Sequence, residues 1–376
     1  MTMSKLDDLI KKLCPNGVEF HSVEDVANVA RGVRVVRSQL ADQGSYPVFQ
    51  NSLTPMGYYE KQNCKADTAF VIAAGAAGEI GYSYSDFWAA DDCYFFKCSK
   101  ALSSRYLYHM LLWKQPFLKS RVRKASIPRL SRDHIEQLSI PVPPLPVQEE
   151  IVRILDSFTK LEAELEAELE ARRRQYEYYR DKLLNFNELD KAKSGGVKLM
   201  ALGEIADIGT GSSNTNEELI QGLYPFFVRS QEVRWKNSYE FDETAIITSG
   251  DGVGVGKVFH FVEGKYALHQ RAYRIHITDD AVFPKYFFHY MKTNFLVHIT
   301  KNAVHSSVTS IRRPMLEKFI VPVPSMEKQK RIVSILDRFD TLVNDLTSGL
   351  PAEIKARRQQ YEYYRDKLLT FSPLQG

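Results

Sequence analysis

No two cysteines in this sequence are spaced C-x-x-C. There are four in 376 residues, Cys14, Cys64, Cys93 and Cys98, and no His/Cys pair completes a zinc-finger spacing with Cys93 and Cys98. That argues against a structural zinc and a disulfide framework, and leaves reduced thiols in a cytoplasmic protein. No apolar run approaches the ~20 residues that span a bilayer. The opening MTMSKLDDLIKKL is charged and amphipathic, without the apolar core of a signal peptide. A soluble, cytoplasmic protein with no membrane partner is expected. Excess charge is also scarce: the net charge is +4, so any nucleic-acid surface must come from local clustering.

Catalytic motifs are missing too. SGDGVGVGK (Ser249–Lys257) has the wrong spacing for a phosphate-binding loop, Val258 stands where Ser or Thr is needed, and a strand follows it rather than a helix. Its counterpart AAGAAGEIG (Ala73–Gly81) has no lysine. There is no Asn/Asp-Pro-Pro-aromatic motif of the kind a base-amino methyltransferase uses to grip a flipped base. Glu353-Ile354-Lys355 lacks an upstream Asp for a nuclease and reads as an exposed helix face. The histidines show no metal spacing, and His269-Gln270-Arg271 reads as a polar DNA contact or strand surface. No catalytic residue and no metal site are expected.

What the chain does have, it has twice. ARRRQYEYYRDKLL (Ala171–Leu184) returns as ARRQQYEYYRDKLL (Ala356–Leu369), identical at thirteen of fourteen positions, at an offset of 185. IPVPP…IVRILDSF (Ile140–Phe158) returns as VPVPS…IVSILDRF (Val321–Phe339) at an offset of 181, and GVEFHSVEDVANVARG (Gly17–Gly32) as GVKLMALGEIADIGTG (Gly196–Gly211) at 179. Between the helical motifs the first copy reads LEAE-LEAE-LEAR, three tetrads, and the second LVND-LTSG-LPAE-IKAR, four. Four residues advance a helix by ~6 Å and ~400°, so a tetrad can be added while the apolar stripe stays nearly on one face. This makes the segment an adjustable spacer.

Prolines 141, 143, 144 and 146 forbid helix before about Val147, and Pro322 and Pro324 act likewise, with Ser325 as N-cap. Ile151, Ile154, Leu155, Phe158, Leu161, Leu165, Tyr176, Tyr179 and Leu183 then recur at near-heptad spacing. Ile332, Ile335, Leu336, Phe339, Leu342, Leu346, Ile354, Tyr361, Tyr364 and Leu368 match them, with Gly349 and Pro351 expected to kink or break the second helix. Pairing the two helices buries both stripes. Strands are expected at Thr68–Ala74, Cys93–Cys98, Thr244–Ser249, Gly256–Val262 and Tyr273–Ile277, and helices at Ser104–Leu118 and Pro284–Val297. DKAKSGG (Asp190–Gly196) reads as a linker. The expected domains are residues 1–144, a first globular domain; 145–189, a first helical region; 190–324, a second globular domain; and 325–376, a second helical region.

From Lys114 to Arg132 there are seven Lys/Arg and no acid, and Lys292 to Arg313 also lacks acids. An acid-free basic loop in both halves points to two phosphate-binding surfaces. Candidate DNA-binding residues are Arg121, Arg123, Lys124, Arg129 and Arg132 in the first loop. In the second they are Lys301, His305, Ser306, Arg312 and Arg313. Further basic groups supply Arg31, Arg34 and Arg37, and then Arg229, Gln231, Arg234 and Arg271; Arg and Gln are side chains that read purine edges bidentately.

Together the duplicated QYEYYRDKLL, the PVPP/PVPS openings with IVRILD and IVSILD, the Leu6–Phe20 start and the tetrads resemble the specificity subunit of type I restriction-modification enzymes, across essentially the whole chain. The resemblance implies an α/β (α+β) tandem duplication: two target recognition domains separated by two long antiparallel helices, a coiled coil. Each domain would read one half of a bipartite double-stranded DNA target, with the helices setting the unread spacer. The helices would also dock two modification subunits, which bind S-adenosylmethionine and methylate adenine. Two restriction subunits would add ATP-driven, Mg-dependent cleavage, leaving no cofactor in this chain. Tyr176, Tyr179, Leu183, Tyr361, Tyr364 and Leu368 fall on the family's helical motif, as docking or coiled-coil residues. The other reading is a coiled-coil scaffold whose end domains bind protein or another ligand; the paired basic loops argue against it.

Overall fold

The computed structural model describes residues 2–186, 197–301 and 310–375; the expected linker, His305 and Ser306 lie outside them. The chain divides into two compact units: unit 1 joins residues 1–166 to 353–376, and unit 2 is 167–352.

In unit 1, helix α1 (Thr2–Leu13) buries Leu6 in the core, and Lys5 meets Glu150 at 2.8 Å. The chain continues through β1 (Phe20–Ser22), α2 (Val23–Val26) and β2 (Ala27–Arg31), then β3 (Tyr46–Phe49) and β4 (Tyr58–Tyr59). It goes on through β5 (Thr68–Ile72), β6 (Ile80–Ser83), β7 (Trp88–Ala89) and β8 (Cys93–Cys98). An antiparallel sheet runs in the order β2-β8-β5-β6, beside a small sheet β4-β3-β7 in which β3 and β7 are parallel. Helix α3 (Ser104–Ser120) covers the larger sheet with Tyr106, Leu107, Met110 and Leu111 fully buried. The Ser103 hydroxyl caps it, accepting from the Tyr106 N–H. Helix α4 (Arg132–Glu136) and β9 (Ser139–Pro141), which pairs with β1, lead into helix α5 (Leu145–Leu184).

Unit 2 repeats the plan with β10 (Lys198–Ala201), α6 (Leu202–Ile205), β11 (Ala206–Thr210), β12 (Tyr224–Phe227) and β13 (Arg234–Lys236). β14 (Phe241–Ser249), β15 (Phe259–Leu268) and β16 (Ala272–Ile277) follow. One ten-residue strand, β15, does the work of β6 and β7, so the larger and the small sheet of unit 1 become a single sheet, β11-β16-β14-β15-β12-β13. Helix α7 (Pro284–Lys301) packs on it through Phe287, Met291, Phe295 and Ile299. Helix α8 (Arg313–Glu317) and β17 (Ile320–Val323), paired with β10, lead to α9 (Met326–Asn344) and α10 (Leu350–Leu369). All four cysteines are free. Gly32 and Gly211, the last residues of one duplicated motif, are required by close approach: a Cβ would overlap the carbonyl oxygens of Ala90 and Leu268 respectively.

The first helical region is one 40-residue helix, ~60 Å long. It starts two residues before Val147, with Pro146 in the first turn, where its missing N–H leaves no bond unmade. The second region is broken, as Gly349 and Pro351 predict, and Ser325 caps α9 as expected. The stripe and the four-tetrad count need correction here. LTSG (Leu346–Gly349) is a turn, not helix, and Leu346 is 76% exposed. Asp345 holds the turn: its carboxylate accepts from the Thr347 N–H at 2.7 Å and from the Thr347 and Ser348 hydroxyls. The extra tetrad is spent on this turn rather than on helix length.

Each unit contains an antiparallel helix seam. In unit 1 Phe158 of α5 stacks on Tyr364 of α10 at 5.5 Å and touches Tyr361, while Arg358 bridges Glu162 and Glu166. In unit 2 Phe339 of α9 stacks on Tyr179 at 5.8 Å and packs on Tyr176 of α5. The ILDxF phenylalanine of each copy thus meets the YEYY tyrosines of the other.

Candidate nucleic-acid interface

The Gly-rich turn of each unit lies at the end of a central strand, and the same backbone hydrogen bonds gather distant segments around it. In unit 1 the Leu130 N–H donates to Ala73 O at 2.8 Å, Ala73 N–H to Asp92 O at 2.7 Å, and Ala90 N–H to Phe49 O at 2.9 Å. In unit 2 the counterparts are Ile311 to Gly250, Gly250 to Arg271 and His269 to Phe227, each 2.9 Å. Four chain segments, the turn included, therefore form one rim, twice. Thr248 and Ser249 fix the strand end inside the core, and four glycines between 250 and 256 let the turn project.

The side chains on the two rims differ. In unit 1 Arg123 and Arg129 pair across an antiparallel bridge, and Arg129 also bridges to Ala74. Both are exposed, as are Arg121, which lies over the Phe117 ring, and Lys124. Arg31 joins this rim through its Nε, which donates to Asp91 O at 2.7 Å. Arg34 and Arg37 follow on an exposed segment ending in a 3-10 turn, Arg37–Gln39. In unit 2 Asp251 holds two arginines, Arg229 at 2.8 Å and Arg271 at 3.3 Å, and bridges to Ser310, two residues before exposed Arg312. Burial acts to raise the Asp251 carboxyl, but the hydrogen bond and charge of Arg229, with Arg271, outweigh it and hold it below its ordinary range. The two guanidiniums are thereby oriented while remaining accessible.

Three further predicted arginines are also paired with carboxylates. Arg132 pairs with Glu136 at 2.7 Å and Arg313 with Glu317 at 2.8 Å, each within one turn of helix. Arg234 lies on the edge strand β13 between Glu218 and Glu232. Gln231 is exposed beside it. His269 is neither strand surface nor contact: it is buried, and its Nδ1 accepts from the Arg271 N–H at 3.0 Å, capping the turn that presents Arg271. Lys301 ends helix α7.

Two features were missed. Gln50 and Asn51 stand on the unit 1 rim where Val228 and Arg229 stand in unit 2, and Asn51 O accepts from the Ala76 N–H at 2.9 Å. YPVFQNS (Tyr46–Ser52) against YPFFVRS (Tyr224–Ser230) is the sequence signal that locates them. Val253 is the other, an apolar side chain 96% exposed at the tip of the unit 2 turn.

The six helical-motif residues all line the seams. Tyr176 and Leu368 are buried, Leu183, Tyr361 and Tyr364 half-buried, and Tyr179 borders its seam. The outward residue of YEYY is its third position: Tyr178 is 60% and Tyr363 64% exposed. Among the described residues no His/Cys/Asp/Glu group could hold a metal, and no helix is long and apolar enough to cross a membrane.

Residues 15–171 and 195–356 match the family described as the type I restriction modification DNA specificity domain. The chain belongs to the type I restriction-modification DNA specificity family. It is 31% identical to a putative type I restriction enzyme specificity subunit of Haemophilus influenzae, over 97% of this chain and 98% of that one. It is 35% identical to the Escherichia coli EcoR124I/EcoR124II specificity subunit, over 62% of this chain and 64% of that one. The crystal structure of a type I restriction-modification S subunit from M. genitalium shares the fold, with a TM-score of 0.69 at 16% identity over 94% of this chain and 96% of that one. The chain is a specificity subunit, whose role is DNA sequence recognition within a type I system.

Proposed function

We propose that each rim reads one half of an asymmetric bipartite duplex target, and that the helical regions set the unread spacer. The observation that carries this reading is the rim itself: one backbone frame built twice with different side chains. Arg229 and Arg271, fixed by Asp251, suit a guanine edge, and Val253 suits a thymine methyl. Asn51 and Gln50 suit an adenine, with Arg123, Lys124 and Arg129 on phosphates. Tyr178 and Tyr363, repeated and outward-facing, dock two modification subunits, and two restriction subunits complete the enzyme. The chain is non-catalytic by itself. S-adenosylmethionine, ATP and Mg act on the partner subunits.

The test is Arg229→Ala, read by methylation of randomised duplexes with the modification subunits present. One bidentate contact is worth about 1–3 kcal/mol, so discrimination at one position of one half-site falls roughly tenfold or more. The other half-site and the spacer stay as they were. Loss of discrimination in both halves, or none, refutes the assignment.

A further inference from the structure

The Asp of each ILD motif and a Gln eight residues before it tie the recognition module to its helix, by the same bonds in both units. In unit 1 the Asp156 carboxylate accepts from His109 Nε2 at 2.8 Å and from Arg105 at 2.8 and 3.0 Å, both on α3. Gln148 accepts from the Ser103 N–H at 2.8 Å and donates to Ala101 O and Pro143 O at 2.8 and 2.7 Å. The Tyr106 hydroxyl donates to Pro141 O. In unit 2 Asp337 accepts from His289 at 2.9 Å and forms an ion pair with Lys285 at 3.0 Å; Gln329 accepts from Phe283 N–H and donates to Ala281 O and Pro324 O, each at 2.8 Å. The Tyr286 hydroxyl donates to Pro322 O at 2.7 Å. Both glutamines are fully buried, and the histidines are 1% and 4% exposed.

Buried polar bonds of this kind fix an angle more narrowly than apolar contact does, because a donor that swings away is left unpaired. Nothing in the module core requires them: each sheet is already covered by α3 or α7 through apolar side chains. We infer that Asp156, His109 and Gln148, with Asp337, His289 and Gln329, are positioning residues that set how strictly spacer length is enforced. A module of this size is about 35 Å across, so a tilt of about 6° at its joint carries the rim ~3.4 Å, one base pair. The two joints are unequal. Arg105 forms a two-pronged bond and lies over the rings of Tyr82, Tyr84 and Tyr108 at 4.5, 5.1 and 4.6 Å. Lys285 makes one ion pair with Asp337 and is 38% exposed. Unit 2 carries the looser joint.

The inference rests on the bipartite reading above, and the experiment separates the two. The complex of this chain with modification subunits is assayed for methylation of duplexes whose half-sites are constant and whose spacer is native, one base pair shorter or one longer. Asp337→Asn is expected to lower discrimination between spacers about tenfold, the worth of one hydrogen bond to a charged group, while the rate on the native spacer changes less than about twofold. Lys285→Arg, which supplies the two-pronged bond, raises discrimination. Asp156→Asn and His109→Gln act as Asp337→Asn does; if either prevents assembly, the unit 2 variants still give the answer. An assembled Asp337→Asn complex with unchanged discrimination, or altered half-site letters, overturns the inference. A wild-type complex indifferent to spacer length overturns the bipartite reading itself.

Discussion

Removing Leu165–Glu168 should shorten the preferred spacer without touching the half-sites. The deletion turns LEAE-LEAE-LEAR into LEAE-LEAR. It withdraws ~6 Å of helix and leaves a residual rotation of ~40°. The seam tolerates this because its contacts repeat with the same period. Arg358 spans Glu162 and Glu166, one tetrad apart; after the deletion Glu170 occupies the position of Glu166, and both carboxylates are again within reach. Leu161, Leu165 and Leu169 are each half-buried, so the loss is one partly buried leucine, about 1 kcal/mol. An exposed ion pair adds at most about 1 kcal/mol. Against ~3.4 Å per base pair, ~6 Å predicts a spacer shorter by one to two base pairs. Methylome sequencing of a strain carrying the variant reads half-sites and spacer together. Deleting Leu165–Ala167 is the control: three residues turn the helix by ~300°, moving the stripe ~60° off the seam and Glu170 away from Arg358. That variant should lose thermal stability and assembly. Altered half-sites with an unchanged spacer would refute the reasoning, as would equal behaviour of the three- and four-residue deletions.

Two other outcomes follow from the geometry. Tyr178→Ala with Tyr363→Ala should weaken co-purification with the modification subunits, each exposed tyrosine contributing about 1–2 kcal/mol; melting of the isolated chain should not change, since neither ring lines a seam. Burial holds His109 and His289 below the ordinary imidazole range against the bond to their aspartates. His109 Nδ1 is buried with no hydrogen-bond partner among the described residues, so a second proton has no acceptor there. The unfolded chain then binds more protons than the folded one below about pH 6.5, and stability falls as pH drops through that window, by at most ~1.4 kcal/mol per pH unit per histidine. Asp156, held at about 2 despite its burial by His109 and Arg105, keeps its charge throughout this range. Urea melts at pH 7.5 and 5.5 should differ, and His289→Gln should reduce the difference; equal midpoints in the wild type would contradict it.

How legible these parts were in the sequence depends on what makes each contact. Phe158, Phe339, Tyr361 and Tyr364 were readable because motif residues meet motif residues, and duplication doubles the signal. Strands such as β8 and β16 were readable from short apolar and aromatic runs. Leu346 was misplaced because apolar spacing continues through it, while the hydrogen bonds of Asp345 to Thr347 and Ser348 decide the backbone. The rims were the hardest part. Their frame is backbone hydrogen bonding among segments about twenty to sixty residues apart, which side-chain patterns do not record. Their side chains differ between copies, so repetition, the best guide elsewhere, points away from them. The acid-free run from Lys114 to Arg132 located a loop correctly, yet Arg132 itself is neutralised by Glu136. The charge on Asn51 is zero, and no basic census could have found it.

The units also differ in how they are drawn from the chain. Unit 2 is contiguous, whereas unit 1 is completed by residues 353–376, whose Leu368 and Leu369 enter its core. Its first strand region is tied to the last residues as well: Val18 N–H donates to Ser372 O and Leu374 N–H to Val18 O, each at 3.0 Å. Chains emerge from the ribosome N-terminus first, at about 5–20 residues per second. Unit 2 has all its residues while α10 is still being synthesised, and unit 1, though begun earlier, must wait, its seam open, for residues 353–376.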